Sequence, residues 1–136
     1  MTARLPNDDD IREAVETHFA AIGNDEVAAG EIYADDAVLE YVQSRERIRG
    51  KANIIASRQA YPGRPAAFSI VRLSGHGDEW TAELILSFDG ADPHPVVAVL
   101  ELRDGWVVRE AIYIAEPWEP PAYRARWAEI APLGDE

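Results

Sequence analysis

IYADDAVLEY, residues Ile32–Tyr41, is the stretch that decides how this chain folds. Ile32 and Tyr33 close a helical stretch, and Asp35-Asp36 supply turn chemistry. Val38, Leu39 and Tyr41 then begin a β-branched and aromatic strand. On the N-terminal side, Ile11, Val15, His18, Phe19 and Ile22 follow the i, i+4, i+7, i+8 spacing of an amphipathic helix. The cluster Asn7–Asp10 starts that helix, Asp10 and Glu13 have capping-box spacing, and Gly23-Asn24 ends it. Asp25 opens a shorter helix through Val27, Ala28 and Ile32.

On the C-terminal side, a strand at Ala37–Val42 leads into a polar turn, SRERIRG (44–50). A third helix follows from Lys51 to Tyr61, with Ile54, Ile55 and Arg58 on one side and Pro62-Gly63 as its stop. The pattern then becomes extended. Ala66–Ser74 and Glu79–Phe88 read as strands around the turn GHGD (75–78), and DGADPHP (89–95) reads as a loop. Val96–Arg103 and Trp106–Ala115 form a hairpin across Asp104-Gly105, a dipeptide suited to the positive φ angles of a two-residue turn. Three helices followed by a meander make an α+β domain with helices laid on one sheet face. The tail EPWEPPAYRARW (116–127) is broken by proline and carries two Trp, which predicts that it is tied down. It either covers the domain's own core or serves as a lid or dimer clasp.

A chain of 136 residues has room for one domain, 1–136, with a core at about 9–116 and a Pro/Trp-containing tail at 117–136. No apolar window reaches membrane length, and MTARLPNDDD lacks the apolar run of a secretory signal. A cytoplasmic location is the expectation. There is no Cys, hence no disulfide, thiolate nucleophile or Cys-based metal site. The net charge of −12, from 13 basic and 25 acidic side chains, repels phosphate backbones and anionic headgroups. Neither nucleic acid nor membrane is an expected partner, whereas a small apolar ligand is compatible with this surface.

The order helix, helix, strand, helix and four strands (α-α-β-α-β-β-β-β) resembles the nuclear-transport-factor-2-like superfamily, most closely its SnoaL-like, polyketide cyclase-like branch. The resemblance is carried by HFAAIGND (18–25), IYADDAVLEY (32–41), IRGKANI (48–54) and LELRDGWVVREAIYIAEPW (100–118). It implies a cystatin-like cone, in which a curved, mostly antiparallel sheet wraps a long N-terminal helix around a deep apolar pocket. It also implies dimerisation through the outer sheet face. Superfamily members include cyclases, isomerases, dehydratases and epoxide hydrolases, as well as binding domains without activity, so the site has to be argued separately.

Ketosteroid isomerase chemistry uses an Asp base with a Tyr and a protonated Asp as oxyanion donors. The YADDAVLEY block places these positions at Tyr41, His18 and near Ala98. The His and Asp of the cyclase members fall on Glu110 and Ala115. This chain therefore departs from both patterns. Period-2 reading of the last strand puts Trp106, Val108, Glu110, Ile112 and Ile114 on the inner face, with Val107, Arg109, Ala111 and Tyr113 outside. Glu110 among apolar neighbours is either a carboxyl of raised pKa, usable as a general acid or base, or one half of an ion pair with Arg58 or Arg72. His18, inward on the first helix, is a candidate partner or a hydrogen-bonded core residue. Tyr41, inward with Leu39, offers a hydroxyl or is plain core. The candidate catalytic set is Glu110, His18 and Tyr41, in a pocket lined by Phe19, Leu39, Trp80, Trp106, Ile112 and Ile114.

No cofactor is expected. His18, His76 and His94 lack the paired spacing of metal ligands, so no metal site is expected either. On the outer face, Glu83, Glu101 and Arg109 alternate with Val97, Val99, Ala111 and Tyr113, which suits a homodimer interface with cross-strand ion pairs or, alternatively, solvent. The expected function is a pocket protein for a small apolar or polycyclic ligand, with cofactor-free acid/base chemistry: cyclisation, isomerisation, dehydration or hydrolysis. The alternative is a non-catalytic, dimeric ligand-binding or accessory domain.

Overall fold

The computed structural model describes residues 5–62, 66–88 and 92–133. Helix α1 (Asp8–Ala21) is followed by a one-turn helix α2 (Glu26–Ala29) and a 3-10 turn (Gly30–Ile32). Strands β1 (Tyr33–Tyr41) and β2 (Glu46–Arg49) precede helix α3 (Lys51–Gln59). Strands β3 (Ala67–His76), β4 (Glu79–Ser87), β5 (His94–Arg103) and β6 (Trp106–Ile114) complete one six-stranded sheet in the order β2-β1-β6-β5-β4-β3. Every pairing is antiparallel except β1 with β6. The sheet is curved and unclosed, and α1 lies across β3. Register irregularities in β1, in β3 and between β5 and β6 supply curvature, because an extra residue on one strand bends and twists the ladder.

The apolar stripe of α1 goes where its spacing sends it, with Ile11, Val15, His18 and Phe19 buried. They meet Leu39, Leu100 and Val107 from the sheet and Ile54 from α3, all at 0% exposure. Gly50, at φ 92°, turns the chain from β2 into α3 and donates its N–H to the Ala37 carbonyl at 2.7 Å. Asp104 and Gly105 adopt φ of 54° and 86°, as the β5–β6 hairpin requires. Among the described residues, no helix is long and apolar enough to cross a membrane.

Several local expectations change. The N-cap of α1 is Asn7, whose Oδ1 accepts from the Asp10 N–H at 2.9 Å while Asp10 returns the bond at 3.0 Å; the box starts three residues earlier than Asp10–Glu13. Asp35 and Asp36 make no turn. They lie inside β1, exposed where its pairing with β6 shifts between Tyr33 and Val38. The turn SRERIRG contains β2, a short charged edge strand with Ile48 as its sole apolar residue, and such an edge resists pairing with another chain. In the expected loop 89–95, residues 89–91 lie outside the described residues, and His94 and Pro95 already belong to β5. Gly63 of the expected α3 stop is likewise outside them.

The tail does not cover the domain's own core. Trp118 is 78% exposed and Trp127 75%, because Pro117, Pro120 and Pro121 hold the segment extended before a 3-10 helix at Ala122–Trp127. The inner face of β6 also changes phase. Glu101 pairs with Arg109 but Leu102 with Val107, so Val108 is an extra residue; Val107 is buried and Trp106 is half exposed.

Candidate functional site

Four elements converge on Glu110. α1 brings His18, the start of β1 brings Tyr33, α3 brings Arg58, and β6 carries Glu110 itself. His18 Nδ1 lies 2.6 Å from the Ala29 carbonyl, which accepts only, so Nδ1 donates there. His18 Nε2 is 2.8 Å from Glu110 Oε2. The other carboxylate oxygen accepts from the Tyr33 hydroxyl at 2.5 Å and from Arg58 Nη2 at 3.1 Å. Arg58 Nη1 in turn donates to the Tyr33 oxygen at 2.7 Å, so the phenol accepts from the guanidinium and donates to the carboxylate. The His18 ring packs on Phe19 at 4.7 Å and edge-on to Tyr33 at 5.4 Å.

The cluster is buried but matched. Glu110 and His18 side chains are at 0% exposure and Arg58 at 8%. Burial alone would push the Glu110 carboxyl up. The charge and hydrogen bond of His18, the Arg58 charge and the Tyr33 hydroxyl outweigh it and bring the carboxyl down to about 2. Burial and the adjacent carboxylate push the Tyr33 phenol well above its ordinary range. Burial works against the Arg58 cation, but Tyr33 and Glu110 more than compensate and its pKa rises. Glu110 is therefore an ionised, paired carboxylate: of the two alternatives the sequence leaves open, the ion pair describes it and the raised pKa does not. The pair forms with Arg58. Arg72 belongs to the outer face, 2.5 Å from Glu83.

The structure brings His18 and Glu110 together, a convergence that spacing alone does not show, and the hydroxyl on Glu110 comes from Tyr33, not from Tyr41. Tyr33 reads as the end of a helical stretch, so its inward phase in a bulged strand leaves no local signal. Tyr41 lies instead at the mouth of the cone, on a half-open pocket of about 190 Å³. Ile22, Phe68, Leu86, Ile112 and Ile114 form the apolar walls; Glu26, Tyr41, Ser57, Arg58 and Tyr61 supply the polar groups. Of the expected lining, Ile112 and Ile114 border this pocket. Phe19 and Leu39 are core behind it. Trp80 sits under the β3–β4 turn, with its indole N–H on the Gly77 carbonyl at 2.8 Å and Arg12 over its ring. Trp106 borders a separate, open groove of about 700 Å³ with Asp10, Glu13 and Glu31. Among the described residues, no three His, Cys, Asp or Glu are grouped to hold a metal ion.

On the opposite face, Arg109 bridges Glu40 at 2.8 Å and Glu101 at 3.1 Å across three strands. Tyr113 and Val97 beside them are 45% and 37% exposed.

No protein-family profile matches the sequence, and no curated protein matches it. Solved structures do. An NTF-2 like protein of unknown function from Burkholderia xenovorans LB400 is 38% identical over 93% of this chain and 98% of its own, with a TM-score of 0.83. A protein from Kribbella flavida DSM 17836, provisionally described as a ketosteroid isomerase, is 28% identical over 90% of each chain, with a TM-score of 0.80. An LEH-like epoxide hydrolase of M. tuberculosis is 26% identical over 77% of this chain and 82% of its own, with a TM-score of 0.65.

Proposed function

The chain belongs to the NTF-2 like family, and from that premise we propose that it takes up a small, largely apolar molecule at the cone mouth and turns a carbonyl or carboxylate oxygen of it toward Arg58. The position of Arg58 carries this reading. Its guanidinium is anchored on Glu110 and Tyr33, yet the residue lines the apolar pocket. A guanidinium has five N–H donors, so those not used by the anchors remain for a ligand. His18 and Tyr33 would act behind it, fixing the Glu110 carboxylate that fixes Arg58. The volume of about 190 Å³ falls below the roughly 300–1,000 Å³ of pockets for drug-sized ligands. A single ring or a short chain suits it better than a polycyclic skeleton.

The reading extends to cofactor-free catalysis of the kind named for two similar proteins, isomerisation and epoxide hydrolysis. In either, an oxygen gains negative charge in the transition state, and an anchored cation beside it favours that charge. One observation favours a second reading, binding without turnover: both Glu110 oxygens are engaged and fully buried, so this carboxylate does not itself meet a ligand. The homodimer is part of the proposal, through the face bearing Val97, Arg109 and Tyr113.

Ligand-observed NMR with single-ring ketones, carboxylates and epoxides, run on wild type and on Ser57→Trp, tests the pocket. Binding to the first and not to the second is the expected result; equal binding to both would remove the cone mouth as the site. Deuterium exchange next to the ketone carbonyl and loss of the epoxide then separate catalysis from binding.

A further inference from the structure

We infer that Glu26 is the second polar anchor of the cone-mouth pocket, receiving an O–H or N–H of the ligand, an inference that rests on the pocket reading above. The ligand class follows: a small ring or chain with a carbonyl or carboxylate oxygen for Arg58 and a hydroxyl or amino donor for Glu26.

Glu26 opens α2, and its Oε1 accepts the backbone N–H of Gly23, which fixes the side chain in the turn after α1. Its Oε2 is buried and has no hydrogen-bond partner, the single such side-chain atom among the described residues. Buried carboxylate oxygens almost always find a donor, because an unmatched one forfeits its hydration without replacement. None of the polar groups that share the pocket, Tyr41, Ser57, Arg58 and Tyr61, donates to Oε2, and the Ser57 hydroxyl is already given to the Ile54 carbonyl at 2.7 Å. Glu26 and Arg58 line the same pocket, together with the hydroxyls of Tyr41, Ser57 and Tyr61 and apolar side chains. The Arg58 charge is matched by Glu110, whereas Oε2 of Glu26 is matched by nothing. An acceptor left unmatched by the fold, in a pocket whose cation is already anchored, is complementary to a ligand that brings its own donor. A purely structural Glu26 would need only Oε1.

Matched probes test this: benzoate, against 3- and 4-hydroxybenzoate and 3- and 4-aminobenzoate, titrated by NMR into wild type and Glu26→Gln. Glutamine keeps the oxygen for Gly23 and replaces the unmatched acceptor with a donor. At least one donor-bearing probe should bind wild type about tenfold more tightly than benzoate, the scale of one good hydrogen bond. The variant should lose that advantage, keep its benzoate affinity and melt no lower than wild type. Equal affinity of wild type for benzoate and all donor probes would overturn the inference and leave the pocket reading standing. A variant that keeps the donor preference, or one that melts well below wild type, would assign Glu26 to the fold alone and also overturn it. Failure of every probe to bind wild type would overturn the pocket reading, and this inference with it.

Discussion

Glu110 shows how a single side chain changes meaning with its neighbours. Alone among apolar residues it would hold its proton; with His18, Tyr33 and Arg58 it is a carboxylate with a pKa near 2. Glu110→Gln leaves the Arg58 charge unmatched in the core, and we expect a loss of about 3–5 kcal/mol in urea denaturation. A variant as stable as wild type would refute the ion-pair description. The pH dependence has a definite sign. An unperturbed glutamate titrates near 4.5 and the folded one near 2, so in falling pH the unfolded chain takes up the proton first. The stabilisation is complete above about pH 4.5 and lost as pH falls toward 2. Acid denaturation of wild type and Glu110→Gln should therefore converge in that window. Tyr33→Phe removes a hydroxyl that both donates and accepts, and about 1–3 kcal/mol should go with it.

At the scale of elements, what local chemistry writes is legible and what pairing writes is not. The stripe of α1 and the Asp104-Gly105 hairpin appear as expected, because side-chain periodicity and positive φ angles are properties of short stretches. β2 is not legible in the sequence because ERIR carries too little apolar contrast to announce a strand; only its ladder with β1 makes it one. The extra residue Val108 is likewise set by the partner strand, and it alone moved Trp106 from the inner face to the surface. Two substitutions test the element descriptions. Asn7→Ala removes the cap of α1 and should cost about 1 kcal/mol in thermal unfolding. Gly75→Val places a side chain against the Trp80 ring and the Glu79 carbonyl, and overpacking there should cost roughly 1–3 kcal/mol. A shift in Trp80 emission would accompany it.

For the whole molecule, the unresolved tension is apolar surface. Trp118, Tyr123, Trp127 and Ile130 are each about three-quarters exposed on the tail. Leu133 borders a hollow of the outer face with Val97 and Tyr113. Exposed aromatic groups concentrated on one tail and one sheet face are the kind of surface that interfaces cover. In the proposed dimer, Tyr113→Asp should give a monomer by sedimentation with the far-UV spectrum unchanged. Truncation after Glu116 should leave the fold intact, since the buried core ends at Ile112. A wild-type monomer at high concentration would dispose of the dimer.

The sequence by itself determined the α+β class, the buried stripe of α1 and the inward phase of Glu110. Each depends on repeats of two or 3.6 residues that survive without knowledge of the partner. Tertiary structure decided the rest: that Tyr33 rather than Tyr41 completes the cluster, that Arg58 rather than Arg72 pairs with Glu110, and that Glu26 enters the pocket at all. Those residues are 52 to 84 positions apart from Glu110 along the chain, or, for Arg72, on the other face of the sheet. Which charges become neighbours depends on bulges and crossovers, and a carboxylate's protonation depends on those neighbours. Its identity alone does not fix it.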